Sequence, residues 1–156
     1  MRRQLFFLCA LFIADRFIKN ILWFKPPQGN AAVFLHPVLN ENISFSIRIP
    51  GLSGGALLPI LACIIFILAG TTYLRFRQSK AEALWWGMIT SGALSNFLDR
   101  LTIGGVLDYV DIGFWPVFNL SDASIFIGTV MLVASEFFLL QRKRLASSSQ
   151  NIQNLR

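Results

Sequence analysis

Four long apolar runs, separated by polar stretches, set the pattern of this chain. The most uniform is residues 51–74, GLSGGALLPILACIIFILAGTTYL, which holds no charged residue. About 20 helical residues cross the roughly 30 Å hydrocarbon layer of a bilayer, so this run is long enough to span one. Residues 4–24, QLFFLCALFIADRFIKNILWF, form another run, interrupted by Asp15, Arg16 and Lys19 in its second half. A third, about 82–101, stays apolar until Asn96, Asp99 and Arg100 at its far end. The fourth, about 121–141, opens on Ser121-Asp122 and runs into FFLLQRKR. Each run is predicted to be a transmembrane helix.

The first run begins like a secretory signal, with Arg2 and Arg3 before an apolar core. A cut after Ala14 would put Phe12 at the −3 position, where small side chains are preferred. Apolar character also resumes after Lys19, so the segment is read as a retained helix. In the stretch 25–50, AVFL (32–35) and ISFSIRI (43–49) favour strand, and LNEN (39–42) between them resembles a turn, which suits a small β-element on the outer surface; a covering loop is the alternative. The expected architecture is a mainly α integral membrane protein. Four transmembrane helices over residues 1–141 carry a small extracytoplasmic β-element between helices 1 and 2. The polar tail 142–156 is expected to be disordered.

Composition strengthens this picture. Of 156 residues, 54% are hydrophobic and 14% charged, against about 25% charged in a soluble domain. Mean hydropathy is +0.58. The net charge of +6 does not mark a nucleic-acid binder, because the basic residues sit at the ends of apolar runs. Arg2 and Arg3, then Arg75, Arg77 and Lys80, then Arg142, Lys143 and Arg144 all fall on one side of a four-helix arrangement. The positive-inside rule makes that side, with both termini, cytoplasmic. Cys9 and Cys63 lie within apolar runs and read as buried small hydrophobes rather than a disulfide or metal site. With His36 the only histidine, neither a zinc site nor a Ser-His-Asp triad is supplied. No metal and no cofactor is expected, and the candidate chemistry falls to carboxylates and amides.

Those groups share a depth. Asp15 and Lys19 are an i,i+4 pair on one helix face. Asn96, Asp99 and Arg100 end the third run, and Asp122 starts the fourth, all towards the outer surface; Glu136 is the exception. Charges within spans face a bundle interior, a cavity or a partner, so a polar chamber is expected just inside the outer surface. Two carboxylates held together there would share one proton. The ionised one takes a proton from water and the protonated one donates to a carbonyl oxygen. Asp122 with Asp108 or Asp111 is the candidate pair, although the Asp-Thr/Ser-Gly signature of soluble aspartic proteases is absent. Plainer readings stand beside this. Asp122 is also a first-turn acid behind a Ser121 N-cap. Asp99 and Arg100 also suit an interfacial ion pair, and Asp108 and Asp111 ordinary loop positions. Tyr109, Phe114, Trp115 and Phe118 also fit an interfacial belt.

The blocks NFLDR (96–100), GGVLDYVD (104–111) and WPVFNLSDASI (115–125) resemble the signature of the lipoprotein signal peptidases, or signal peptidase II. DRFIK (15–19) and VLNENISFSI (38–47) match two supporting blocks, so the resemblance covers most of residues 10–140. It implies a four-helix aspartyl endopeptidase of the bacterial inner membrane, with its site near the outer face. Asp108 and Asp122 match the catalytic dyad. Asn40, Asn96, Asp99, Arg100 and Asn119 match positions that support the site or contact substrate. Asp15 and Lys19 match structural positions, and Asp111 has no catalytic counterpart. The implied substrate is a prolipoprotein carrying diacylglycerol on its cysteine, cut just before that cysteine. Membrane lipids are the other expected partner, and the protein is expected to act as a monomer. The sequence departs from the family at Arg16 (usually Gln), Glu41–Ser44 (usually Gly-Ala-Ala), Ser95 (usually Gly) and Ala123-Ser124 (usually Ser-Ala). The alternatives are a small proton-coupled transporter using Asp15 or Asp122, and an inactive lipoprotein-binding relative. A transporter would more naturally place its acid near the midplane.

Overall fold

The computed structural model describes residues 2–27, 34–41, 54–78 and 80–153. Along them run α1 (Arg2–Phe24), β1 (Leu35–Asn40), α2 (Gly54–Arg77), α3 (Ala83–Ile103), β2 (Val106–Val110) and α4 (Leu120–Gln153). The four helices fall on the four apolar runs. Two of them are long and apolar enough to cross a membrane, over Leu57–Arg77 (mean hydropathy 2.3) and Leu120–Arg142 (2.0). The other two carry Asp15, Arg16 and Lys19 on α1 and Asp99 and Arg100 on α3.

Burial is inverted relative to a water-soluble domain. Phe66 is 81% and Phe6 77% exposed, whereas Asp15 and Lys19 are 2% and Asn119 0% exposed. In water the large apolar side chains would be inside and the charges out. Against hydrocarbon, hiding a phenylalanine gains little, while every polar group needs a partner within the protein. Among the described residues, no buried side-chain nitrogen or oxygen lacks a hydrogen-bond partner. Cys9 and Cys63 follow the same logic. Expected to be buried, they lie exposed on helix surfaces, where an apolar surrounding suits a thiol as well as a core would.

Glycines draw α3 and α4 together. A Cβ on Gly92 would stand 2.5 Å from the Ser121 carbonyl oxygen, and one on Gly128 would stand 2.8 Å from the Trp85 carbonyl oxygen. On the other side of α3, Thr72 and Thr90 share a 2.8 Å hydrogen bond, which joins α2 to α3. Gly104 ends α3 in the left-handed region (φ 80°), a conformation open to glycine at little cost. The chain therefore reverses at once into β2 and brings Asp108 back over the last turns of α3.

The β-element differs from expectation. Among the described residues, its pairing joins the two long loops. β1 pairs antiparallel with β2, from the other long loop, with Val38 opposite Asp108 and Asn40 opposite Val106. LNEN is not a turn at its start, because Leu39 and Asn40 continue the strand; ISFSIRI lies outside the described residues. The register slips between Leu35 and Val38, where Pro37, which has no N–H to give a ladder, sits at the irregularity. The tail also differs. The backbone of 142–153, expected to be disordered, continues α4 to Gln153, and no glycine or proline breaks the helix after Gly128.

Candidate active site

The site forms where β2, the end of α3 and the start of α4 converge. Asn119 is the N-cap of α4. Its Oδ1 accepts the N–H of Asp122 at 2.8 Å, while Asp122 Oδ2 accepts the N–H of Asn119 at 3.2 Å. This is a reciprocal capping box, and it replaces Ser121 as the expected cap. The next two N–H groups are also satisfied, that of Leu120 by the Tyr109 hydroxyl (3.1 Å) and that of Ser121 by Asp15 Oδ1 (3.2 Å). All four donors left open at a helix start are thus served inside the protein. Two carboxylates, Asp15 and Asp122, face the positive end of the helix dipole.

Asn119 has a second contact. Its Nδ2 donates to Asp108 Oδ1 at 2.7 Å. One amide therefore holds Asp108 at its nitrogen end and the backbone of Asp122 at its oxygen end. Asn40, at the end of β1, donates to Asp108 Oδ2 at 3.0 Å, and Asn96 of α3 donates to Asp122 Oδ1 at 2.7 Å. Arg100 Nη1 donates to the Asn96 carbonyl oxygen, and its charge acts on Asp122, Asp108 and Asp99. Burial pushes the Asp108 carboxyl up to about 6, and the Asp122 charge adds to the rise. The hydrogen bonds from Asn40 and Asn119 and the charge of Lys19 oppose it. Between its ordinary value and about 6, Asp108 thus holds a proton that an ordinary aspartate would lose.

Beneath the pair lies a second cluster. Lys19 contacts Asp15 (3.1 Å), Asp99 (2.8 Å) and Asn96 Oδ1 (2.8 Å). Asp99 also binds Arg16 and accepts the Leu107 N–H at 3.3 Å, which ties α3 to β2. Asp15 accepts from the Ser95 hydroxyl (2.6 Å), the Ser121 hydroxyl (2.7 Å) and the Tyr109 hydroxyl (3.3 Å). Burial, then the charge of Asp15, push the Tyr109 hydroxyl above its ordinary value, so it remains a donor.

The candidate residues Asp108, Asp122, Asn40, Asn96, Asn119 and Arg100 thus stand around one point, with Asp15, Lys19 and Asp99 packed below. Asp111 is elsewhere: its Oδ1 accepts the Gly113 N–H at 2.8 Å and its Oδ2 faces His36 at 3.7 Å. Four residues were not read as site residues but join the network: Arg16, Ser95, Tyr109 and Ser121. Two are departures from the family pattern. Arg16 adds a second cation to Asp99, and Ser95 adds a donor to Asp15. A signal for the Asn119 cap was present in the spacing Asn119-x-x-Asp122.

A family model described as signal peptidase (SPase) II matches residues 7–138. The chain belongs to the signal peptidase II family. Among signal peptidase II relatives, a lipoprotein signal peptidase of Syntrophomonas wolfei is 39% identical over 142 residues, covering 85% of this chain and 89% of that protein. One of Desulfitobacterium hafniense is 38% identical over 134 residues, covering 76% and 82%. A solved bacterial membrane enzyme shares the fold, with a TM-score of 0.70 over 88% of each chain at 23% identity. The site therefore belongs to a member of a peptidase family, signal peptidase II, with a membrane-enzyme fold.

Proposed function

We propose that this protein is an intramembrane aspartyl endopeptidase that cuts diacylglyceryl-modified prolipoproteins just before the lipidated cysteine, with Asp108 and Asp122 as its dyad. The observation that carries the reading is the Asn119 side chain, buried and bonded at opposite ends to Asp108 and to the Asp122 backbone. A side chain in that place fixes two carboxylates relative to each other. One holds the pair's proton while the other is ionised. The ionised carboxylate takes a proton from water as its oxygen attacks the scissile carbonyl carbon. The other gives its proton to the carbonyl oxygen. Collapse of the resulting diol, with a proton passed to the amide nitrogen, breaks the C–N bond.

The same reading makes all four helices membrane spans, with both termini cytoplasmic and the site near the outer face. Two features support it: the groups of basic residues at one end of the bundle, and the confinement of buried charge to the opposite end. Phe34, Phe114 and Trp115 are exposed on the loops beside the strands and suit a bilayer interface. Lipid tails would then enter from the side while the peptide lies along the surface, one protomer sufficing.

The test is cleavage of a purified diacylglyceryl prolipoprotein by wild type, Asp108→Asn and Asp122→Asn. The wild type should cut, and both variants should fold and fail to cut. Substantial cleavage by either variant sinks the dyad. A folded wild type that binds the substrate without cutting it would mark an inactive relative.

A further inference from the structure

Lys19 is buried below the dyad and bonded to neither aspartate. Its ammonium has three hydrogens and three partners: Asn96 Oδ1, Asp99 Oδ2 and Asp15 Oδ2. The two ends of an asparagine amide have nearly the same shape but opposite chemistry, one accepting and one donating. An ammonium only donates, so the end of Asn96 that faces Lys19 must be its oxygen. The nitrogen end is then obliged to face Asp122 and to donate to Oδ1, at 2.7 Å. The other oxygen of Asp122 accepts the Asn119 N–H. Both oxygens meet donors, one a backbone N–H that cannot turn over and the other an amide whose orientation Lys19 fixes, an environment that suits an ionised carboxylate; Asp108 also meets a donor at each oxygen, but both are side-chain amides.

We propose that Lys19 is a positioning residue: through Asn96 it keeps Asp122 the ionised, water-activating member of the pair and leaves the shared proton to Asp108. This rests on the dyad reading. Without Lys19, the Asn96 amide is free to turn over. Its oxygen would then meet Asp122 Oδ1, and two acceptors can sit together only if Asp122 carries the proton. Asp122 could not then take one from water.

Other charged and titratable groups surround Lys19 and the partners it holds. Asp15 and Arg16 come from α1, and Asp99 and Arg100 from α3; Asp108 and Tyr109 come from β2, and Asp122 from α4. Within the lower cluster, Asp15 and Asp99 balance Lys19 and Arg16 one for one. Removing Lys19 alone therefore unbalances a buried site, and the double change Asp15→Asn/Lys19→Met restores the balance while still freeing Asn96.

The experiment measures kcat and KM against pH for cleavage of a diacylglyceryl prolipoprotein by purified, folded protein in detergent. Lys19→Met and Asp15→Asn/Lys19→Met should each lower plateau kcat by about 100-fold, with little change in KM. Each should also move the acid limb of kcat upward by about one pH unit. Asn96→Leu should do the same, and adding Lys19→Met to it should change nothing further. An acid limb that stays put in the charge-balanced variant overturns the proposal, as do Lys19 and Asn96 losses that multiply. If Lys19→Met alone does not fold, the charge-balanced and Asn96 variants decide the matter. Cleavage by Asp108→Asn or Asp122→Asn would instead break the dyad reading itself. Inactive aspartate variants with an unmoved limb would remove only the role of Lys19.

Discussion

Asn119 has two jobs that two substitutions can separate. Asn119→Ala removes the cap acceptor of the Asp122 N–H and the donor to Asp108. Loss of such a cap costs about 1 kcal/mol, and loss of a hydrogen bond to a carboxylate about 2 kcal/mol more. The expected loss of stability is therefore about 3 kcal/mol. Asn119→Ser restores an oxygen at the cap but is too short to reach Asp108. It should recover about 1 kcal/mol of that loss while cleavage stays about 100-fold below wild type. Thermal unfolding in detergent and cleavage of a lipidated prolipoprotein measure the two effects on the same samples. Equal stability of the alanine and serine variants would refute the capping role. Recovery of cleavage in the serine variant would refute the claim that the amide positions Asp108.

Asp108→Asn tests the raised carboxyl by way of stability. Folding lifts this group from near 4 to about 6, so the folded state binds its proton more tightly between those values. Wild-type stability therefore gains as pH falls through that window, and ionising Asp108 burdens the fold most above pH 6. The asparagine variant should be the more stable protein at pH 7.5, with the difference shrinking towards pH 4; a difference independent of pH would contradict this. Gly92→Ala would place a Cβ 2.5 Å from the Ser121 carbonyl oxygen and 2.8 Å from Ile125 Cγ1. It should cost about 1–3 kcal/mol and lower cleavage by shifting the start of α4, whereas Gly70→Ala, with nothing within 4 Å, should be harmless in both assays. Asp111→Asn should leave cleavage within about three-fold of wild type, since its bonds stay within its own turn and to His36. A loss as deep as that of Asp108→Asn would show that the wrong loop acid was chosen.

The four helices were legible because apolar run length is a local signal, and the shared face of Asp15 and Lys19 followed from their i,i+4 spacing. The sheet was not legible. Asn40 and Val106, paired at its end, are far apart in sequence, and the nearer LNEN offered a plausible local turn. Nothing within β1 reveals that its partner arrives after two intervening helices. The lower network was half legible: Asp15 and Lys19 announce each other at i,i+4. The link from Arg16 to Asp99 and that from Ser95 to Asp15 cross between helices and depend on their rotation and depth, which no single segment encodes. The resemblance supplied what spacing did not, the choice of Asp108 over Asp111. The geometry is consistent with that choice, because Asn119 links Asp108 to Asp122, whereas the Asp111 side chain meets Gly113 and His36.

Capping and chemistry at Asp122 are not rival explanations, and counting lone pairs shows why. An ionised carboxylate offers about four acceptor sites. Asp15 receives five donors: the Ser95 and Ser121 hydroxyls, the Ser121 N–H, the Tyr109 hydroxyl and Lys19. Asp99 receives Arg16, Lys19 and the Leu107 N–H. Among the described contacts, Asp108 and Asp122 are each met by two donors: Asn40 and Asn119 on the first, Asn96 and the Asn119 N–H on the second. A group that must take a proton from water, or hand one to a carbonyl oxygen, needs a site not already spent on the fold. The cap uses one oxygen of Asp122 through one N–H, which fixes where the carboxylate stands without exhausting it. Of the four aspartates held by Asn119, Asn96 and Lys19, Asp108 and Asp122 carry the fewest described donors, which suits the proposed dyad's need to meet a water molecule and a substrate carbonyl. On this argument Asp15, deep and saturated, is disqualified as a proton acceptor by its own hydrogen bonds.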